Sequence, residues 1–281
     1  MLNVEGSGVT LESANLKAKL DMGAARALEQ YELRSAMIEA SFKDKKLTIS
    51  PSHIRSPYLD ADIEGYAELG GELDMKLSVV ADERHDREFS IPGVGELRQQ
   101  HLTLDASATG NLDLETEDPV AMVRDMRLKA SWDVADLYLE EDGVGESKAK
   151  IDMTLTSPAE NKRHVDYDVE VSARDLSAPS AEARAAMADL DSEGEFTFDL
   201  PLEDPLSLLD SFKAEAHIKA RGVSAPGVSV SSLDANATIA PTARGRSRYT
   251  LDASGGGIRL PDATFYLGSG STNLSGEVSL D

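Results

Sequence analysis

The chain of 281 residues has no cysteine, one tryptophan and an aromatic content of only 5%. The missing cysteines exclude disulfides, thiolate nucleophiles and cysteine-ligated metals. They also suit an oxidising compartment. Scarce aromatics leave few large side chains to fill a thick globular core. Basic residues are short as well: 28 Lys and Arg stand against 51 Asp and Glu, a formal net charge of −23. Such a field repels phosphate backbones and anionic membrane surfaces, so a nucleic-acid partner is not expected. No apolar run approaches the roughly 18 residues of a membrane-spanning helix. Met1-Leu2-Asn3-Val4-Glu5-Gly6 lacks the basic start and apolar core of a signal peptide.

Strict alternation is what the chain has in abundance. Leu16, Ala18, Leu20 and Met22 oppose Lys17, Lys19 and Asp21. The apolar phase continues with Leu59 and Ile63, then Leu73, Met75 and Leu77, then Leu102 and Leu104, then Leu112 and Leu114. It resumes at Met126, Leu128 and Trp132, at Ile151, Met153 and Leu155, and at Val165, Tyr167 and Val169. Phe196 and Phe198, Phe212 and Ile218, Leu233 and Ile239, and Tyr249 and Leu251 complete it. Between these stand Asp, Glu, Lys, Ser and Thr. A strand with one apolar and one charged face belongs to an antiparallel sheet with one wet side.

A long echo orders these strands. Glu117-Asp118-Pro119-Val120 returns 86 residues later as Glu203-Asp204-Pro205-Leu206. Each copy follows an alternating strand, Gly110-x-Leu112-x-Leu114 or Gly194-x-Phe196-x-Phe198, and precedes a longer one. Repetition at this scale points to an extended β array. The expected organisation is one continuous region over 1–281, with repeat units near 102–140 and 187–223. The termini fall inside alternating patterns, which is expected of a piece of a longer protein. The Glu83–Arg87 stretch is the expected long loop.

Turns are expected at Gly70-Gly71, Pro92-Gly93, Asp142-Gly143, Ser157-Pro158, Pro226-Gly227, Gly255–Gly257 and Gly268–Ser271. Short helices are expected at Gly23–Gln30 and Ala181–Ala188, and single turns at Pro119–Val123 and Pro205–Leu209.

Chemical motifs are sparse. The five histidines share no ligand spacing such as H-x-x-x-H, and His101 and His217 fall in polar phases, so solvent-facing roles and no metal are expected. The glycine clusters match neither a dinucleotide loop, nor a P-loop, nor a nucleophile elbow. The acidic clusters at Glu115–Asp118 and Glu140–Asp142 lack the ligand order of a calcium loop. No catalytic residue, enzyme activity or cofactor is expected.

The segment Phe196 to Leu206 (FTFDLPLEDPL), then Phe212 to Ala220 (FKAEAHIKA) and Val223 to Val228 (VSAPGV), resembles the AsmA-like family of Gram-negative envelopes. Ser56 to Gly65 (SPYLDADIEG) is similar in texture. The resemblance implies an all-β fold: a long, curled antiparallel sheet forming a repeating groove with an apolar concave face. It implies bridge-type transport of phospholipid between membranes in the periplasm, with inner- and outer-membrane proteins at the ends of the full-length chain. The residues independently fit such a groove. Strands of about 7 to 10 residues span roughly 25–35 Å, and about 16 of them at 4.8 Å spacing extend roughly 75 Å. The apolar-phase residues named above from Leu59 to Leu251 would line it. The alternatives are a structural or adhesive extracellular β-sandwich or solenoid, whose apolar face packs on itself, and an enzyme.

Overall fold

The computed structural model describes residues 1–8, 10, 14–27, 31–91, 95–113, 122–201, 208, 210–243, 246–260 and 265–279. Alternating, β-branched and apolar segments become strands throughout. The first are β1 (Leu2–Ser7), β2 (Asn15–Met22), β3 (Ala25–Ala27), β4 (Tyr31–Leu33), β5 (Ser35–Lys43), β6 (Lys46–Arg55), β7 (Asp60–Glu68) and β8 (Glu72–Ala81). β9 (Glu88–Ile91), β10 (Gly95–Arg98) and β11 (His101–Leu112) follow. The longest strands come last: β12 (Val123–Leu139), β13 (Asp142–Ala159), β14 (Lys162–Ala178), β15 (Ala183–Asp199), β16 (Lys213–Ala225), β17 (Val228–Ala243), β18 (Arg246–Leu260) and β19 (Phe265–Ser279).

Seventeen strands share one sheet. Its ladder is antiparallel at every step and runs β1, β2, β5, β6, β7, β8, β11, then β12 through β19 in order. The β9–β10 hairpin, which lies between β8 and β11 in the chain, pairs with the end of β12 at Leu97↔Leu139. β3 and β4 pair only with each other. The sheet is not closed: β1 pairs with β2 alone and β19 with β18 alone among the described residues. Fifteen strands in file give a sheet about 67 Å long at 4.8 Å per step. The molecule exposes 17375 Å², against roughly 11,700 Å² for a compact monomer of its mass. One layer with no second sheet over it accounts for the excess, and the two facing sheets of a β-sandwich are absent among the described residues.

Several local expectations are corrected. Ala181–Ala188 is not a helix. Beyond a 3-10 turn at Pro179–Ala181, the segment enters β15, whose ladders to β14 and β16 outweigh alanine's helix propensity. Within Gly23–Gln30, Ala25–Ala27 is strand β3, and Leu28–Gln30 lie outside the described residues. Two turns of isolated helix are marginal, and a hairpin partner supplies the hydrogen bonds instead. Val123 opens β12 rather than closing a helical turn. The glycines of Gly255–Gly257 and Gly268–Ser271 sit inside β18 and β19, facing each other at Gly255↔Gly270 and Gly256↔Ser269. Asp142-Gly143 and Ser157-Pro158 lie within β13, and the adjacent turns form at Glu140–Glu141 and Glu160–Asn161. Gly70-Gly71 and Pro226-Gly227 are turns as expected, and Pro92-Gly93 lies outside the described residues. Because those turns shift, β12 to β19 reach 13–18 residues, about 44–61 Å, well beyond the expected strand length.

The strand reversals create two rims. The connections β5–β6, β7–β8, β11–β12, β13–β14, β15–β16 and β17–β18 all lie on one. In the chain both Glu-Asp-Pro segments fall between strands that reverse on this rim, β11 and β12 or β15 and β16, and residues 114–121 and 202–207 themselves lie outside the described residues. These two connections, 113–122 and 200–212, are longer than Asp82–Arg87. That loop is folded down on the opposite rim, where His85 is buried against Asp82 and Asp60 at 3.1 and 3.4 Å.

Candidate functional site: a registered apolar face

Paired residues in an antiparallel ladder point to the same face, so the register decides whether the apolar phases of successive strands meet. They do. One row runs Ile63, Leu77, Ala106, Ala130, Ile151, Val169, Ser192, Ala216, Ala237, Leu251, Leu274, each paired with the next. Two residues to one side, Met75, Ala108, Leu128, Met153 and Tyr167 pair in turn, and Ile239 pairs with Tyr249. Beyond them stand Leu73, Gly110, Met126, Leu155, Val165 and Phe196. On the other side Leu104, Trp132, Ala149, Val171, Leu190 and Ile218 form a row, flanked by Leu102↔Val134 and Leu233↔Ala220.

The remaining expected lining residues are placed differently. Leu112 pairs with Val123 beyond a register shift. Leu59 is not in a strand; its N–H donates to Ser56 Oγ in a tight turn before β7. Leu114 lies outside the described residues. Phe212 precedes β16, yet its ring joins the face. It stacks on Tyr167 at 6.4 Å and tilts against Phe196 at 6.3 Å, while Phe196 stacks on Phe198 at 6.1 Å. Gly194 makes room for this cluster, since a Cβ there would lie 2.6 Å from the Tyr167 hydroxyl. Arg163 shares the phase but is only 2% exposed, its guanidinium donating to the carbonyls of Val123, Glu160 and Lys162.

The face continues where the sequence alternation breaks. Asp136, Asp175, Gly222 and Gly257, on β12, β14, β16 and β18, all have φ between 51° and 63°. These left-handed residues form a line across the sheet, and beyond it every strand resumes with its apolar phase reversed. Leu137, Val144, Leu176 and Ala185 then pair in turn, as do Val223↔Val230 and Ile258↔Leu267. A Cβ on Gly255 would meet Ile258 and Val230, and one on Gly270 would meet Leu267. The new row therefore stands on the same face as the old one. The signal was legible as a three-residue step, Val134 to Leu137, which a search for period 2 passes over.

No element covers this face among the described residues. Its buried hydrophobic residues are mostly alanines, from Ala36 to Ala235, with Val134, Val165 and Phe198. Larger side chains stay partly open, Leu190, Ile218 and Tyr249 at 36–37% and Leu274 at 52%. The opposite face is a lattice of exposed ion pairs, including Arg127–Asp152 at 2.6 Å, Lys148–Asp133 at 2.7 Å and Lys150–Glu170 at 3.8 Å. The Arg127 guanidinium bonded to Asp152 holds that carboxyl below its ordinary range. A concavity of about 930 Å³ lies over this charged lattice between Glu64, Lys76, Asp105, Lys129, Lys150 and Asp152.

Sequence reasoning also passed over His164-x-Asp166, an i, i+2 pair that a strand places on one face. In comparisons with known proteins, no family model, curated protein or solved structure matches the chain.

Proposed function

We propose that this chain is a stretch of a lipid conduit that carries phospholipid between membranes with its acyl chains laid on the registered apolar face. The carrying observation is that face itself: apolar rows paired strand to strand along the sheet, with no covering layer among the described residues. An uncovered apolar strip of this length marks an interaction surface. Lipid tails fit its mixture of Leu, Ile, Val, Ala and Met, which offers small and pliable contacts and no fixed pocket. Each methylene laid on the strip gains about 0.8 kcal/mol. Charged head groups remain in water, and no residue performs chemistry. This reading requires the sheet to curl toward the apolar rows, whereas the concavity of about 930 Å³ lies over the charged lattice. The protein works in the envelope of a Gram-negative bacterium, with membrane proteins at either end of the full-length chain, as in the AsmA-like proteins it resembles.

The test is mass spectrometry of lipids co-purifying with the chain, beside an acidic control protein of similar charge. Stoichiometric phospholipid above control supports the conduit; lipid-free monomer removes it. The concavity on the charged face favours a second reading, a structural or adhesive module that works through its polar surface. That reading predicts lipid-free protein and binding abolished by salt.

A further inference from the structure

On the charged face near the Glu-Asp-Pro rim, β14 and β15 bring three ligand-type side chains to one point. Asp166 pairs with Glu195 across the ladder, and His164 pairs with Thr197 two residues along. His164 Nε2 lies 3.3 Å from Asp166 Oδ1 and 3.9 Å from Glu195 Oε2, and the three ligand atoms all lie within 4.8 Å of one another. Two ligands held at about 2.1 Å from a common ion stand roughly 3.0 Å apart at an octahedral angle and 3.4 Å at a tetrahedral one. The His164–Asp166 spacing already matches those values, and the Glu195 carboxylate has to turn inward to reach them.

A second observation concerns the ring's orientation. The other ring nitrogen, Nδ1, lies 2.9 Å from Thr197 Oγ1. Thr197 is itself held by Ser211, whose Oγ accepts from the Thr197 N–H and donates to its carbonyl. A hydroxyl on Nδ1, carried by a residue whose backbone Ser211 bonds, leaves Nε2 directed at the carboxylates, the outer-shell arrangement of metal-binding histidines. A concavity of about 460 Å³ opens beside Asp166 and Glu195, giving room for water ligands. Lys213 Nζ stands 3.4 Å from Glu195 Oε1, the oxygen turned away from the histidine.

We propose that His164, Asp166 and Glu195 form a binding site for a divalent transition metal of the zinc class. One imidazole and two carboxylates suit Zn²⁺, Co²⁺ or Ni²⁺, whereas Ca²⁺ and Mg²⁺ call for an all-oxygen set. Three protein ligands leave positions for water, so the ion is exchangeable. The proposal is independent of lipid carriage.

The test is calorimetric titration of the tag-free full chain with CoCl₂ and ZnCl₂, repeated in excess CaCl₂ and MgCl₂. The proposal expects one saturable ion per chain, unaffected by Ca²⁺ or Mg²⁺, with the His164 ring paramagnetically shifted by Co²⁺. H164A and E195Q each weaken binding at least tenfold with circular dichroism unchanged, and H217A leaves it intact. K213M strengthens binding severalfold, a gain that misfolding does not produce. Equal affinity in wild type and H164A, or equal competition by Ca²⁺, overturns the site and leaves only a diffuse acidic surface.

Discussion

At the scale of the residue, position relative to the two faces decides what each side chain does. Leu128 stands between Ala108 and Met153 in the middle of the apolar face. Leu128→Glu places a charge where acyl chains would lie, and the expected outcome is loss of co-purifying phospholipid with strand content unchanged by circular dichroism. Thr109→Glu, on the opposite face beside Asp74 and Arg127, is the control and retains lipid. Phe212 is a poorer probe, because its contacts with Tyr167 and Phe196 confound stability with lipid binding.

Asp82 carries a different prediction. Hydrogen bonds from the Arg84 side chain and backbone, aided by His85, hold its carboxyl well below the ordinary range. A folded pKa below the unfolded value means stabilisation that is complete above about pH 4 and lost as pH falls. Asp82→Asn removes that titration. The variant should melt lower than wild type at pH 7, and the difference should narrow steadily as the pH falls below about 4 in a thermal denaturation series.

At the scale of the element, turns and breaks govern register. The β5–β6 hairpin turns through Asp44 and Lys45, both left-handed at φ 52° and 64°. This is the conformation of a two-residue I′ turn, where Asn-Gly is preferred. A left-handed non-glycine residue costs about 1–2 kcal/mol, and glycine returns about half of that as chain entropy. Lys45→Gly should therefore raise unfolding free energy by about 0.5–1 kcal/mol, measured by urea titration at constant m-value.

The strands themselves were readable. Val165, Tyr167, Val169 and Val171 against Asp166, Asp168 and Glu170 leave no other reading, and β14 is a strand with a neighbour on each side. The alanine-rich segment at 181–188 misled because alanine's propensity is a local quantity, while a strand between two ladders is stabilised by residues far along the chain. The glycines of β18 and β19 misled for a related reason. Glycine marks a turn when its neighbours leave it free, but here Gly255 faces Gly270 within a continuous ladder. The lining residues were legible individually; that they meet in rows follows from register, which a single chain does not display. The His164 cluster was hidden likewise, its third ligand lying a strand away.

At the scale of the whole molecule, the sheet is nearly one-dimensional. The main ladder is a meander, so most strands bond only to their immediate neighbours in space. Stability should then be graded along the file, as in repeat proteins, and not shared by one core. Hydrogen exchange should show β12–β15 protected longest and protection falling toward β1 and β19. Uniform protection with a single cooperative loss would contradict this picture. The charge of −23 adds a salt-sensitive term, since self-repulsion along the file is screened as ionic strength rises.

The 86-residue echo acquires a geometric meaning from the reversals. The connection after β11 and the connection after β15 are separated by four strands, an even number, so the repeat conserves sidedness. Four steps at 4.8 Å set the strand ends that flank the two connections about 19 Å apart. The period thus acts as a ruler along one border: a further copy would add a third mark at the same interval, while a unit of odd strand number would throw it to the far border. Any rigid body that bridges both insertions has its span fixed by this parity, before any side chain is chosen.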